Sequence, residues 1–285
     1  MKKYIITENQ LKVLKKRLLS EKVRSYVFDW DDNILKMPTK IRMDKQVDGE
    51  WIPVEVTTEE FATVRNNPNY RIKKDSFNDF IDNNKFIIDV NKAIDSKEFA
   101  PSFKKLSEAL MYANNFAINT ARGHSPETIK QGVKIFIDRV LNDEEKRIMI
   151  LNIKKTLPKE LIKNLNDKQL IDLYLDEKGE YYPVSSKEFG ERFKIHSAGS
   201  SVNPEHSKQI AIEHFVKKLV NGVKKHLVNG KYNKISLGFS DDDIKNVKSV
   251  ENFINNELKK LYPEVHFVIY DTSSGGKKKI VIEKD

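Results

Sequence analysis

The chain has 285 residues and a mass of 33.2 kDa, with 39% hydrophobic residues, 33% charged residues and a formal net charge of +9. That is enough apolar material for one large domain or a core with a smaller satellite, and it excludes a chain disordered throughout. No cysteine is present, which excludes a disulfide framework, a thiolate zinc site and a cysteine nucleophile.

The N-terminal stretch, MKKYIITENQLKVLKKRLL, is basic, but lysines interrupt every apolar run. It has neither the apolar h-region nor the small-residue cleavage site of a secretion signal. No segment approaches the roughly 20 apolar residues needed to span a bilayer. A soluble, cytoplasmic protein is expected. Within residues 1–22 a basic helix is expected over 7–20, with Thr7 as N-cap, Gln10 three residues on, and Leu11, Leu14, Leu18 and Leu19 as its apolar stripe.

A short apolar strand over 26–29 follows and ends in acid, YVFDWDD. Residues 38–100 read as an insertion. Inside it, runs at 41–43 and 51–56 flank Asp48-Gly49, a hairpin signal, and Thr58-Glu-Glu-Phe starts a helix. Asn67-Pro68-Asn69 breaks the pattern. Helical spacing returns at 103–113 through Phe103, Leu106 and Leu110, and a second strand is expected at 116–120. Ser125-Pro126 opens a helix running to about Val140. Residues 141–200 are charged and mostly helical, with a short strand at 181–184, and read as a second insertion. A helix over 204–220, a strand over 235–238 ending in Ser240-Asp241-Asp242-Asp243, a helix over 250–261 and strands over 265–270 and 279–282 complete the chain.

Strand–helix alternation predicts an α/β protein, a Rossmann-like three-layer α/β/α core with a parallel sheet and cap insertions. The core is expected over 23–37, 101–140 and 201–285. In such sheets the ligand crevice lies outside the carboxyl ends of the strands. Three separate strands therefore deliver Asp29, Thr120 and Asp241 to one edge.

Asp29 and Asp31, two residues apart, leave their strand on the same side. Two adjacent carboxylates repel each other unless a cation is present, and a hard divalent ion with oxygen ligands resolves that cost. An EF-hand loop fits Asp29, Asp31 and Asn33 but fails at Ile34, where its glycine belongs, and at Lys40, where its glutamate belongs. Gly275-Gly276-Lys277 lacks the upstream glycine and the following Ser/Thr of a Walker motif.

Val27-Phe-Asp29-Trp-Asp31-Asp-Asn-Ile-Leu35 resembles the first motif of the haloacid dehalogenase (HAD) superfamily of phosphohydrolases. Ile118-Asn-Thr120-Ala-Arg122-Gly123 looks like its second motif, and Leu237-Gly-Phe-Ser-Asp241-Asp242-Asp243 looks like its fourth. Lys208 fits its third-motif lysine best, with Lys194 as the alternative. Asn33 stands where that family usually has Thr or Val. The matches cover about half the chain and occur in the family's order.

The resemblance implies a Mg²⁺-dependent phosphatase acting through an aspartyl-phosphate. Asp29 would be the nucleophile and Asp31 the general acid–base. Asp29, Asp241 and the backbone carbonyl of Asp31 would hold the metal, with Asp242 as a further or alternative ligand. Thr120, Ala121 and Lys208 would bind the phosphoryl group. Arg122 is a candidate substrate contact, with a salt bridge as its other reading. The six histidines show no metal-ligand spacing, and His124, close to the second motif, is the one singled out.

The implied substrate is a phosphorylated metabolite, a nucleotide or a nucleic-acid end. Trp51, Tyr70, Phe77, Phe80 and Phe86 in the first insertion either stack on it or pack cap against core. A non-catalytic binding or structural protein that keeps the fold is the alternative. The Lys- and Asn-rich composition resembles that of phosphohydrolase-like proteins encoded by low-GC bacteriophages, which would place the protein in the host cytoplasm. Basic clusters at Lys12, Lys15, Lys16 and Arg17, at Lys217, Lys218, Lys224 and Lys225, and at Lys277 to Lys279 could attract nucleic acid, but none carries the interleaved aromatics of a stacking groove.

Overall fold

A computed structural model describes residues 23–195, 203–225 and 235–282. The helix expected at 7–20 and the basic cluster at 12–17 lie outside these residues, as do the side chains of Lys224 and Lys225.

The elements in chain order are β1 (Val23–Phe28), β2 (Ile41–Val47), β3 (Glu50–Val56), α1 (Thr58–Val64), β4 (Tyr70–Ile72), a 3₁₀ turn (Asn78–Phe80), α2 (Asn83–Ser96), α3 (Phe103–Met111), β5 (Asn115–Thr120), α4 (Pro126–Val140), α5 (Asp143–Thr156), α6 (Lys159–Ile162), α7 (Asp167–Lys178), β6 (Gly179–Pro183), α8 (Lys187–Phe193), α9 (Pro204–Lys225), β7 (Ile235–Asp241), α10 (Ile244–Phe253), one π-helical turn (Ile254–Leu258), α11 (Lys259–Leu261), β8 (Val265–Asp271) and β9 (Lys278–Val281).

The local chemistry explains most helix starts. Thr57 and Glu60 form a capping box at α1, Asn142 and Glu145 at α5, and Asn166 and Gln169 at α7. Ser125 accepts from the Thr128 N–H ahead of Pro126 at the start of α4.

Six strands form one sheet in the order β6-β5-β1-β7-β8-β9; the first five are parallel and β9 is antiparallel. Alternate residues of a strand face opposite sides. Phe28, Phe116 and Ile118 thus join one core cluster with residues of α2, α3, α4, α5 and α7, whereas Val27 and Ala117 join another with residues of α8, α9 and α10. Helices on both faces of a mostly parallel sheet make this the expected α/β architecture. The chain winds outward from β1 through β5 to β6, then returns to the other side of β1 with β7. Strand order reverses between β1 and β7, which is where such sheets place a ligand crevice.

A second, three-stranded antiparallel sheet, β3-β2-β4, carries α1 and has its own small core of Ile41, Met43, Val56 and Phe80. It forms a cap over the carboxyl edge of the large sheet.

Parts of both segments expected as insertions pack into the main core. The segment 38–100 leaves the core only as far as the 3₁₀ turn. Its last helix, α2, buries Phe86, Val90, Ala93 and Ile94 in the main core. Gly132 of α4 admits that packing, because a Cβ there would stand 2.7 Å from the Phe86 ring. In 141–200, β6 pairs in parallel with β5, and Met149, Ile153, Leu170 and Tyr174 belong to the same core cluster. These helices look detached in sequence because their outer faces are laced with ion pairs such as Lys134–Asp172 and Lys130–Asp176.

Near the C-terminus, the helix expected at 250 begins at Ile244. Asp243 caps it by accepting from the Lys245 N–H. Lys278 and Lys279 lie on the exposed edge strand β9, where lysine discourages pairing with other chains. No helix among the described residues is long and apolar enough to cross a membrane.

Candidate active site

Asp29 follows β1 directly, Thr120 ends β5 and Asp241 ends β7, so the register of three neighbouring parallel strands sets all three on one edge. The Asp29 N–H donates to the Ser240 carbonyl at 3.0 Å and prolongs the β1–β7 pairing by one residue. A cavity of about 430 Å³ opens there. All the residues expected at the site line it: Asp29, Asp31, Thr120, Ala121, Arg122, Lys208, Asp241 and Asp242.

Lys208 rises from the first turns of α9 into the acids. Its Nζ donates to Asp29 Oδ1 and to Asp241 Oδ2, both at 2.7 Å, and the side chain is 2% exposed. Burial opposes its charge, but the Asp241 and Asp29 carboxylates outweigh burial and hold the ammonium well above the usual lysine range. Lys194 instead ends α8 in a left-handed conformation and does not line the cavity. Of the two sequence candidates, Lys208 is the one that reaches the acids.

Asp29, Asp241 and Asp242 can each offer a carboxylate oxygen within 4.8 Å of the others. Three carboxylates against one ammonium leave two negative charges, which one divalent cation would balance. Asp241 is already bonded by Asn246 Nδ2 and by the Asp243 N–H. No hydrogen-bond donor among the described residues engages Asp242. Desolvation, with the charges of Asp29, Asp241 and Asp32 added, pushes the Asp242 carboxyl up to about 10. Burial likewise raises Asp29 well above the carboxylate range; Lys208 opposes the shift, and Asp241 and Asp31 add to it. Such a cluster fits a hard cation bound by oxygen.

Asp31 does not join that cluster. Arg122, 1% exposed, grips it with both arms of a fork, Nε to Oδ2 at 2.8 Å and Nη2 to Oδ1 at 2.6 Å. The same Nη2 donates to Thr39 Oγ1, which donates to Asp89, itself paired with Lys85. The guanidinium lies over the rings of Phe80 and Phe86, and its Nη1 is buried without a partner. Of the two readings of Arg122, the salt bridge is therefore present, and the residue also lines the cavity.

Asn33, at 0% exposure, ties three strand ends together. Its Nδ2 donates to the Asp29 carbonyl at 3.0 Å, to the Ser240 carbonyl at 3.2 Å and to Ser240 Oγ at 3.0 Å, and its Oδ1 accepts from Thr272 Oγ1. A Thr or Val could not make this set of bonds. His124 packs against Phe86, bonds the Asp82 carbonyl, and is pushed down to about 4 chiefly by burial; it stands as a neutral core histidine.

Two side-chain contacts and the Gly123 N–H bond to the Phe80 carbonyl join the cap to the floor. Thr58 donates to Asp32, and Arg65 pairs with Asp243 at 2.9 Å. Burial pushes Asp32 up to about 6 against the Thr58 bond. Gly123 lets the cap close down, because a Cβ there would stand 2.8 Å from Ile81 Cγ2. Of the five cap aromatics singled out in the sequence, Phe77 and Phe80 line the cavity. Trp51 instead holds Arg71, Tyr70 lies under Lys45, and Phe86 packs on Trp30 in the core. Phe61, Arg65, Thr58 and Thr39 escaped sequence reasoning. Only the i, i+4 spacing of Phe61 and Arg65 on one short helix hints at a shared face.

The chain matches no protein-family model, no curated protein and no solved structure.

Proposed function

We propose that this chain is a Mg²⁺-dependent phosphomonoester hydrolase of the HAD-like type, working through an aspartyl-phosphate. The observation that carries the reading is the meeting of Asp29, Asp241 and Asp242 at the strand-order reversal, with Lys208 bonded to two of them.

Asp29, Asp241 and Asp242 would hold the cation, which when bound offsets the charge of the phosphate and of its acidic surroundings. Lys208 fixes Asp29 Oδ1, and Oδ2 has no hydrogen-bond partner among the described residues, so Oδ2 is the attacking oxygen. It forms a bond to phosphorus as the bond to the leaving oxygen breaks, and Asp31 supplies the proton that the leaving oxygen takes. Asp31 next takes a proton from water as that water attacks phosphorus, and the bond to Asp29 breaks with release of inorganic phosphate. Thr120 and the Ala121 backbone, which line the cavity, would bond the phosphoryl oxygens, and Lys208 adds positive charge. Arg122 is a positioning residue. Its fork holds the Asp31 carboxylate at the cavity and must give up a contact when Asp31 carries a proton.

The test is a phosphate-release screen with and without Mg²⁺ across nucleotides, sugar phosphates and 3′- or 5′-phosphorylated oligonucleotides. Release that needs Mg²⁺ and disappears in Asp29→Asn is expected. Absence of release from every class, or wild-type turnover in the variant, would overturn the proposal.

A further inference from the structure

The floor of the cavity is charged, whereas its roof is mostly apolar. The cap contributes Ile41, Phe61, Ala62, Phe77, Phe80 and Ile81, together with only two polar side chains, Thr58 and Arg65. Both polar residues bond acids of the floor, Asp32 and Asp243, and the buried Nε of Arg65 is left without a partner. Phe77 is 37% exposed and Ile81 is 59% exposed, although each is large and apolar. Phe77 stands edge-on to Phe61 at 5.5 Å and to Phe80 at 5.9 Å, so three rings form one contiguous surface. An exposed apolar surface continuous with a polar, acid-lined floor has the make-up of a ligand pocket, and 430 Å³ is within the usual range for one.

The two halves impose different demands on one molecule. In the reading above, the floor takes the phosphate. What lies against the roof is then the leaving group. A polyhydroxylated leaving group would set most of its hydroxyls against carbon, where each one left unpaired weakens binding. A planar ring would bury apolar area against Phe61 and Phe77 and gain the edge and offset contacts that aromatic pairs favour.

We infer that the substrate is a phosphomonoester whose leaving group carries a planar aromatic ring, seated on the Phe61–Phe77–Ile81 roof, rather than a sugar phosphate. This rests on the phosphohydrolase reading of the floor. A simple aryl phosphate and a nucleoside monophosphate share the ring and differ in the ribose between ring and phosphate.

The experiment measures KM with Mg²⁺ for an aryl phosphate, a nucleoside 5′-monophosphate and glucose 6-phosphate, using the full chain. Wild type is expected to favour the ring-bearing substrates over the sugar phosphate by about tenfold or more, the scale of one good aromatic contact. Phe77→Ala and Ile81→Ala should each collapse that ratio several-fold. Phe77→Leu keeps most of the packing volume and should still lower it. Inhibition by inorganic phosphate reports that the floor is intact in every variant. If the aryl phosphate alone is favoured, the ring must lie close to the phosphorus; if the nucleotide is favoured, the ribose spans the gap. Equal or better use of the sugar phosphate, or a ratio that the roof variants leave unchanged, would overturn the inference while leaving the phosphohydrolase reading intact. Absence of turnover on all three would overturn the inference, and absence of release across the whole screen, oligonucleotides included, would overturn the phosphohydrolase reading with it.

Discussion

Replacing Asn33 with alanine should destabilise the protein far more than its size suggests. The side chain is fully buried and makes four hydrogen bonds, three through Nδ2 and one through Oδ1. The Ser240 carbonyl keeps the Asp29 N–H, so it is not left unpaired. The Asp29 carbonyl loses the Nδ2 bond, and Thr272 Oγ1, on a residue 2% exposed, loses its acceptor. At about 1–3 kcal/mol for each buried group left unsatisfied, and with the small cavity added, the cost is about 3–5 kcal/mol. For a chain of this size that lowers Tm by roughly 6–10 °C. Thermal melts in EDTA read the number without any contribution from metal binding. Asn33→Asp keeps the acceptor for Thr272 but loses the donors and adds a buried negative charge, so it should fall at least as far. A shift under about 2 °C in Asn33→Ala would refute the reasoning, and the three strand ends would then be held by something other than this residue.

Three further outcomes follow from the site and the surface. In metal-free protein, Asp242, at about 10, and the raised Asp29 bind protons that the unfolded chain has released. Stability should therefore fall as pH rises above about 7, since His124, held at about 4 in the fold, releases little further proton from the unfolded chain over this range. Saturating Mg²⁺ should flatten the fall by favouring the ionised cluster, and a metal-free Tm that climbs from pH 7 to about pH 9 contradicts this. Arg122→Lys should lose activity by two orders of magnitude or more, because an ammonium cannot reproduce the fork on Asp31; near-normal turnover in that variant would remove Arg122 from its positioning role. Neutralising Lys217 and Lys218 should change oligonucleotide binding little, since Lys218 already bonds Glu180; fluorescence anisotropy across a salt series should show weak binding, and a log–log slope steeper than about −3 that the variant loses would point to a nucleic-acid substrate.

The strand ends were the legible part of this sequence. Apolar runs ending in Asp29, Thr120 and Asp241 announce a parallel sheet and its functional edge, because buried parallel strands read as continuous apolar segments and their acids have nowhere to go but the crevice. Lys208 was legible through its place at a helix start. Helix α2 was not read, although Asp82 as cap and Phe86, Val90, Ala93 and Ile94 at helical spacing carry the signal; the polar Asn83-Asn84-Lys85 start and the surrounding loops obscured it. Strand β6 was read but assigned to an insertion, because a five-residue strand says nothing about which sheet it will join. The Arg122 fork on Asp31 spans 91 positions in sequence, and the aromatic roof depends on how a short helix and a 3₁₀ turn settle over the floor. Such contacts are set by tertiary packing and leave no local pattern.

The covalent intermediate on Asp29 is the most direct test of the account. The protein is mixed with Mg²⁺ and a substrate from the release screen, quenched in acid during turnover, digested and analysed by mass spectrometry. The account predicts that the peptide carrying Asp29 gains the mass of one phosphoryl group in wild type, and that Asp29→Asn shows neither adduct nor phosphate release. Continued phosphate release with no adduct on that peptide, or with the adduct on another residue, would contradict it.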